Sequence, residues 1–590
     1  MCGIFGAYNF DSSLIDENLL VAMGLSIEHR GPDDQGIYFG KSEAIGNQRL
    51  SIIDIDGGNQ PFSSLDGHIQ VVQNGEIYNY LELKKSLIKE GFTFETKSDT
   101  EVILKLYERD GENFAKKLNG MFAIAIFDKN LDKLFLYRDR VGVKPLFFYK
   151  DDKKFLFGSE IKSILKGDIK KEINLDGINQ YLTFNYIPPP LTGFKNIYHV
   201  KPGSYMVISR NNKIQEKSWW ELSEFHQKNQ KEDSFIEEFN HILSEAVSIR
   251  LRSDVEFGAF LSGGVDSSSI TGLMSQKMNE PVETFCIGFE DKRFDESIYA
   301  QKASDLFSTN HNLKILDHNI TKDWSKVLYS CDQPHGDISF IPTYKLSELA
   351  KTKVKMVLTG DGGDEIFAGY DKYKSFFSKE KNYKNNDLFK DNYYENICLF
   401  NSSEKEKLIA NKKIDIKSPK NLFNFHLMKV QHWDYINQSL YIDMMMLLPG
   451  NNLVKPDRMG MAVSLEARTP FLDYRMIELA FSLNGSHKLK NGETKYLMKK
   501  ALSPLIGKEL AYRKKQMFTV PIGDWFRSHL YQEVIDYLEK IKKDLFFQDF
   551  FNLERIEKLF IDHLDGEENY TRQVRSLIAL KKWKDIFDLS

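Results

Sequence analysis

The residue best placed for chemistry is the second one, in Met1-Cys2-Gly3-Ile4-Phe5-Gly6. Removal of Met1 would leave a thiol and a free α-amine on one residue. An α-amine with a pKa of ~7.7–8.0 can serve as general base near neutral pH, so such a nucleophile needs no histidine. The alternative is a small cysteine buried in a first strand. A second candidate centre is Ser262-Gly263-Gly264-Val265-Asp266-Ser267-Ser268. Glycines let backbone approach a phosphate, hydroxyls add donors, and a helix N-terminus attracts anions. Asp266 fits an anion site only if Mg²⁺ bridges it to phosphate oxygens. No lysine follows the glycines, so this is not the common Gly-Lys-Ser/Thr nucleotide loop. A plain helix-capping turn is the alternative. A third cluster, Thr359-Gly360-Asp361-Gly362-Gly363-Asp364-Glu365-Ile366-Phe367-Ala368-Gly369-Tyr370, sets three carboxylates among glycines. A divalent cation would relieve their repulsion, although a solvated acidic loop would also tolerate it.

The patterns around these residues show what must hold them. Short apolar or alternating runs fill the first third: Ile4–Tyr8, Ile69–Gln73, Phe122–Phe127, Lys133–Tyr137, Pro145–Tyr149 and Lys154–Phe157. Their length and their aromatic and β-branched content predict strands. Helical stripes interrupt them at about Glu17–Glu28 and Thr100–Arg109. Sheets in layers with helices outside follow from that pattern. The texture changes after Pro188-Pro189-Pro190 and Lys201-Pro202-Gly203, which places a boundary near residue 220. Beyond about Ser234, helical periodicity alternates with buried-looking strands at Phe257–Leu261, Val282–Ile287 and Val354–Leu358. That alternation predicts a parallel sheet with crossover helices. Both Gly-rich clusters then fall at C-terminal strand ends, where open α/β sheets bind ligands.

Composition narrows the class. A chain of 590 residues with 42% hydrophobic and 28% charged residues is an ordinary globular protein of more than one domain. A formal net charge of −4 provides no global field for nucleic acid or an acidic membrane. The cysteines Cys2, Cys286, Cys331 and Cys398 form no CxxC pair, so neither a disulfide framework nor a structural zinc site is expected. The start lacks the features of a signal peptide, and no apolar run reaches the ~18 residues of a membrane span. A cytoplasmic protein without membrane insertion is expected.

Taken together, Cys2–Gly6, His29-Arg30-Gly31-Pro32-Asp33, Arg49-Leu50-Ser51-Ile52-Ile53-Asp54, Asn74-Gly75-Glu76-Ile77-Tyr78-Asn79 and Ser98-Asp99-Thr100-Glu101 resemble the glutaminase domain of glutamine-dependent asparagine synthetases. Ser262–Ser268, Thr359–Tyr370 and Ser464-Leu465-Glu466-Ala467-Arg468-Thr469-Pro470-Phe471-Leu472-Asp473 resemble their synthetase domain. The motifs run in family order along nearly the whole chain. The resemblance implies an α/β and α+β protein of two domains. One is an αββα N-terminal-nucleophile sandwich at 2–215. The other is a doubly wound ATP-pyrophosphatase domain with many helices at 225–590. It further implies that Cys2 attacks the glutamine amide, with Asn74 and Gly75 holding the oxyanion. Arg49, Leu50, Ser51, Ile52, Ile53, Asn74, Gly75, Glu76 and Asp99 would bind glutamine, with Arg49 on the α-carboxylate and Asp99 and Glu76 on the ammonium. ATP would lie on Leu261, Ser262, Gly263, Gly264, Asp266, Ser267, Ile287, Thr359 and Gly360, and Mg²⁺ on Asp266 and Asp364. Asp361 would serve adenylate formation. Lys515, in Arg513-Lys514-Lys515-Gln516-Met517-Phe518, would neutralise phosphate charge. The substrates implied are glutamine, ATP and aspartate or another carboxylate, with ammonia passing through an internal tunnel to an acyl-adenylate. A homodimer is compatible with this. Without the resemblance, Asn74-Gly75 reads as a hairpin turn and Lys514-Lys515 as a solvated basic turn.

Two segments depart from the family pattern. Well-known members carry Gly-Glu-Gly-Ser-Asp-Glu where this chain has Gly360-Asp361-Gly362-Gly363-Asp364-Glu365, so Asp361 is one methylene shorter than the glutamate it replaces. Asp332–Thr343 also differs from their aspartate-site segment. The Asp-Gly-Gly-Asp-Glu form resembles a broader branch, some of whose members amidate uronic acids for surface polysaccharides. Three readings follow: asparagine synthesis, amidation of another carboxylate such as a sugar acid, and a non-catalytic protein on this fold.

Overall fold

The computed structural model describes residues 2–210, 212–225, 231–379, 386–411, 415–515 and 520–589. Met1 and the Gln516-Met517-Phe518 end of the basic motif lie outside the described residues.

Alternation along the first strand, Cys2–Asn9, sets the layering of the N-terminal half. Ile4 and Tyr8 enter a core with Val72, Ala123, Ala125 and Phe127 of a second sheet. Phe5 and Ala7, on the opposite face, pack with Leu20, Met23 and Ile27 of an outer helix. The first sheet is antiparallel in the order Ile197–His199, Phe147–Lys150, Lys154–Gly158, Cys2–Asn9, Glu43–Arg49, Asp34–Phe39. The second runs Lys213–Ser218, Ser204–Ser209, Lys133–Arg138, Gly120–Asp128, Ile69–Ile77, Phe62–Ser63. Helices Glu17–Leu25 and Asp99–Asp110 cover the two outer faces, through Met23 against the first sheet and Val102, Ile103 and Leu106 against the second. This is the four-layer αββα arrangement. Five of the six runs expected to be strands lie within strands, and the sixth, Pro145–Tyr149, becomes a strand only from Phe147. Glu43–Arg49 escaped the pattern because its polar residues are buried by hydrogen bonds, as where Asn47 Nδ2 donates to the Gln73 carbonyl at 2.9 Å. The first helix stops at Leu25, short of the expected Glu28, and a separate turn at Glu28–Arg30 directs Arg30 inward.

The C-terminal half is built on a parallel sheet in the order Asn310–Leu316, Glu283–Phe289, Phe257–Phe260, Met356–Leu358, Glu466–Arg468. Cys286 and Phe285 lie in different hydrophobic clusters, so both faces are covered, as a doubly wound sheet requires. The chain adds strands outward on one side of Phe257–Phe260 and then returns to add Met356–Leu358 on its other side. The switch point between these two strands is where the doubly wound fold opens a crevice. Both Gly-rich loops leave from it.

The halves are joined by buried ion pairs. Arg30, with 0% exposure, donates from Nη1 and Nη2 to the Asp457 carboxylate at 2.9 and 3.0 Å, from Nη1 to Glu160 at 2.8 Å, and from Nε to the Cys2 carbonyl at 3.1 Å. Lys162, Arg458 and Asp332 extend the cluster. Removing one partner strands the other charge in a low dielectric, so Asp457→Ala is expected to cost ~3–5 kcal/mol. Arg30→Met with Asp457→Leu, which removes both charges, should recover much of that. Urea unfolding midpoints of the three proteins check it; an unshifted midpoint for Asp457→Ala would refute the assignment.

Candidate active site

Cys2 opens the central strand of the first sheet, opposite Arg49, and is 6% exposed. Its backbone N–H donates to Asn74 Oδ1 at 3.2 Å. Burial pushes the thiol above its ordinary pKa, and hydrogen bonds from Leu50 and Asn47 and the nearby Arg49 charge offset this only in part. Asn74 and Gly75 do not form a hairpin turn; they lie inside Ile69–Ile77, paired with Ala123 and Phe122. Gly75 has φ of 149°, and a Cβ there would meet the Met121 carbonyl at 2.0 Å, so only glycine fits. Asn74 is fully buried, and its Nδ2 donates to Ser159 Oγ at 3.3 Å.

The other expected glutamine ligands divide into two groups. Glu76 and Asp99 are buried in one acidic pocket, and each is held above its ordinary carboxylate pKa by burial. Asp99 Oδ2 accepts from Gln73 Nε2 at 3.0 Å and from the Ile77 N–H at 2.9 Å. Glu76 Oε1 faces Arg468 Nη2 at 3.5 Å, whereas its Oε2 is buried without a hydrogen-bond partner. Such an orphaned acceptor suits an incoming ammonium. In contrast, Leu50 and Ile52 turn their side chains into a hydrophobic cluster shared with Ala259 and Leu358 of the parallel sheet. They and Ile53 leave only backbone for a ligand, and the Ser51 N–H is already bound by Asp33 at 2.9 Å. Arg49 differs most from expectation. Its Nη1 donates to the Ile55 carbonyl at 3.0 Å and Asn59 Oδ1 at 2.6 Å, and its Nη2 to the carbonyls of Asp54 at 2.6 Å and Ile53 at 3.3 Å. The loop folds back and occupies the guanidinium fork, and a carboxylate would have to displace it.

At the switch point, Phe257–Phe260 leads through Ser262-Gly263-Gly264 into the helix Val265–Ser275. Gly263 has φ of 69°, and a Cβ there would meet the Tyr299 backbone at 2.2 Å. The Ser262 N–H donates to Ser267 Oγ at 3.1 Å. Asp266 and Asp364, from the two loops, share one cation. Lys495 Nζ lies 2.7 and 2.6 Å from the Asp266 oxygens and 2.6 Å from Asp364 Oδ1. Lys515 also donates to Asp364 Oδ1. Burial raises the Asp266 carboxyl, with Asp364 adding to it against the pull of Lys495; the Asp364 carboxyl, also subject to burial, is held well down by Lys495 and Lys515. Thr359 Oγ1 donates to Asp361 Oδ2 at 2.7 Å. Leu261, Ser262, Gly264, Asp266, Ser267, Ile287, Thr359, Gly360, Asp361, Asp364 and Lys515 all line one cleft of about 1410 Å³, and Gly263 alone of the expected ATP ligands does not. That volume exceeds the ~300–1,000 Å³ of a usual small-molecule pocket, in keeping with more than one substrate. Among the described residues, no three His, Cys, Asp or Glu side chains are grouped to hold a metal.

Sequence reasoning missed Lys495 and gave Glu365 and Arg513, although it quoted their motifs, no individual role here. Lys495 is 3% exposed and has φ of 55°, a left-handed conformation rare for lysine and of a kind that clusters at functional sites. Its setting, Gly492-Glu493-Thr494-Lys495 ahead of a helix, was the available signal. Glu365, buried behind the loop, accepts from the Tyr370 hydroxyl at 2.5 Å and from Asn452 Nδ2. Arg513 Nε donates to the Gly263 carbonyl at 2.8 Å and buttresses the phosphate loop.

The asparagine synthase family model matches residues 238–585, and the glutamine amidotransferase domain model matches residues 1–220. The chain is 31% identical over 618 residues to asparagine synthetase [glutamine-hydrolyzing] 1 of Bacillus subtilis, covering 99% of this chain and 97% of that protein. It is 41% identical over 395 residues to a putative asparagine synthetase 2 of Methanocaldococcus jannaschii, covering 63% and 76%. It is 30% identical to asparagine synthetase 3 of Bacillus subtilis over 90% of each chain. The chain belongs to the asparagine synthase family and is a ligase that takes its amide nitrogen from glutamine.

Proposed function

We propose that the protein is a glutamine-hydrolysing asparagine synthetase, converting ATP, L-aspartate, L-glutamine and water to AMP, diphosphate, L-asparagine and L-glutamate. The observation that carries this reading is the meeting of the Ser262–Ser268 and Thr359–Tyr370 loops across one cleft, in a chain that also seats Cys2 against Asn74. A carboxylate is a poor electrophile from which ammonia cannot displace an oxygen, and adenylation converts that oxygen into AMP, a leaving group that ammonia can displace.

In this reading the freed α-amine of Cys2 takes the thiol proton, and the sulfur attacks the glutamine amide carbon. Asn74 Nδ2 and the Gly75 N–H hold the oxyanion, and Glu76 and Asp99 hold the substrate ammonium. Asp266 and Asp364 would hold Mg²⁺. Two carboxylates facing one cation match the one or two that Mg²⁺ takes from protein at phosphate sites, and the ion would supply charge neutralisation across the phosphate oxygens. The phosphate-loop amides orient ATP, and Lys495 and Lys515 draw charge from the departing diphosphate. The proposed division into a glutaminase domain at 2–215 and a synthetase domain at 225–590 places one half-reaction in each. A small cavity of about 20 Å³, lined by Arg138, Phe147 and His199 of the first and by Leu453, Asp457 and Arg458 of the second, has room for one molecule the size of ammonia between the two halves.

Asp361, shorter than the family's glutamate, favours one second reading, amidation of a uronic acid. Diphosphate release by the purified protein with ATP, Mg²⁺ and glutamine separates the two. Asparagine formed in step with diphosphate supports the first. Glutamate release without aspartate-dependent diphosphate refutes it and directs the search to sugar acids.

A further inference from the structure

One end of the large cleft is walled by the C-terminal helix, Thr571–Ile586. Arg575, on its first turns, is 9% exposed; its Nε is buried without a hydrogen-bond partner, and the guanidinium has neither hydrogen bond nor ion pair among the described residues. Arg572, one turn earlier and solvent-exposed, and Lys455, half-buried on a facing helix, line the same end and are likewise unpaired. A single carboxylate, Asp337, faces them. It accepts from Asn451 Nδ2 at 3.1 Å and from the Ser339 N–H at 2.9 Å. Burial alone would raise its pKa, but Lys455 and Arg575 hold it below the ordinary value. A buried arginine that makes no hydrogen bond or close ion pair is costly, and among the described residues the one carboxylate facing the cluster does not balance three cations. The cluster is tied to the reacting end: Asn451 donates to Asn452 at 2.9 Å, and Asn452 donates to Glu365, next to Asp364.

We propose that Arg575, Arg572 and Lys455 form the seat for a second anionic group of the acceptor acid, the one that is not activated, and that Asp337 takes an ammonium beside it. Resting on the amidotransferase reading above, this makes the acceptor a dicarboxylate, and its charge pattern fits an α-amino diacid better than a uronic acid, which has one carboxylate and no ammonium. Arg575 then sets specificity by fixing the acid so that its distal carboxylate faces the phosphate loop.

The test is calorimetric titration of the full-length protein with succinate, a dicarboxylate, and with succinamate, which keeps one carboxylate. We expect succinate to bind at least tenfold more tightly. The preference should fall to within twofold in Arg575→Gln, recover in part in Arg575→Lys, and be reduced in Lys455→Gln. Unchanged circular dichroism and melting temperature establish that the variants are folded. In turnover, KM for the acceptor should rise in Arg575→Gln while KM for ATP holds. Equal binding of the two acids by the wild type, or an undiminished preference in both glutamine variants, overturns the proposal. Failure of the asparagine reading looks different: aspartate-dependent diphosphate is absent while the preference for succinate persists.

Discussion

Cys2→Ala is expected to lower glutamine-dependent amide formation by on the order of 10³-fold or more, while ammonia-dependent formation and its diphosphate release stay near wild type. The asymmetry follows from the architecture. Cys2 lies at the start of a strand in the αββα half, and the cleft with Asp266 and Asp364 belongs to the parallel sheet. Alanine removes the nucleophile and leaves the strand's pairing with Glu43–Arg49 intact. Asn74→Ala should have a smaller effect of the same kind, ~10²–10³-fold, because it removes one oxyanion donor and not the attacking atom. Burial holds the thiol above its ordinary pKa, and activity is expected to require the α-amine freed by loss of Met1 as the base that takes its proton. Intact-mass measurement of the active protein should show a chain beginning at Cys2. Glutamine hydrolysis surviving in Cys2→Ala, or full activity in a chain that retains Met1, would refute the mechanism.

Asp266→Asn is expected to reduce diphosphate release by at least ~10²-fold with glutamine and with ammonia alike, because both nitrogen sources meet the same adenylate. Glutamine hydrolysis itself should persist. The expectation rests on one arrangement: two carboxylates from separate loops share Lys495, so the site is built around cationic charge. A companion variant reads that charge directly. Lys495→Met leaves Asp266 and Asp364 with Lys515 as their remaining cation, and should cost ~3 kcal/mol in chelator. Added Mg²⁺ should restore part of this, since a divalent ion can take the place of the ammonium between the carboxylates. Melting temperatures of both proteins, with and without Mg²⁺, measure it. Normal diphosphate release in Asp266→Asn, or a melting temperature of Lys495→Met that does not respond to Mg²⁺, would count against the assignment.

Much of the architecture was legible because it rests on local patterning. Ile4–Tyr8 is a continuous apolar run, and the two-residue period of a strand places Ile4 and Tyr8 in one core and Phe5 and Ala7 in another. Phe257–Leu261 is a short apolar run ahead of Ser262-Gly263-Gly264, and the turn chemistry located the loop between strand Phe257–Phe260 and helix Val265–Ser275. Glu43–Arg49 and Glu466–Arg468 were not legible as strands. Buried polar and charged side chains hide a strand from any reading based on hydrophobicity, and their burial depends on distant partners such as Gln73 for Asn47. Asn74-Gly75 misled for a related reason. The pair favours a turn in isolation, but here the extended ladder to Ala123 and Phe122 outweighs the local preference.

By itself the sequence determined which reactive groups are present and in what order: a thiol at position 2, a Gly/Ser loop with no following lysine after Phe257–Leu261, and the carboxylates Asp361, Asp364 and Glu365 set among glycines. It also determined the order of a layered sandwich followed by a parallel sheet. Only the tertiary structure decided which distant groups share a charge. Lys495 lies between Asp266 and Asp364, Arg30 between Cys2 and Asp457, and Arg575 faces Asp337. Periodicity and turn chemistry act over a few residues and are written in the local order. Electrostatic partnership acts through space, and the partner is set by how strands and helices far apart in the chain are brought together.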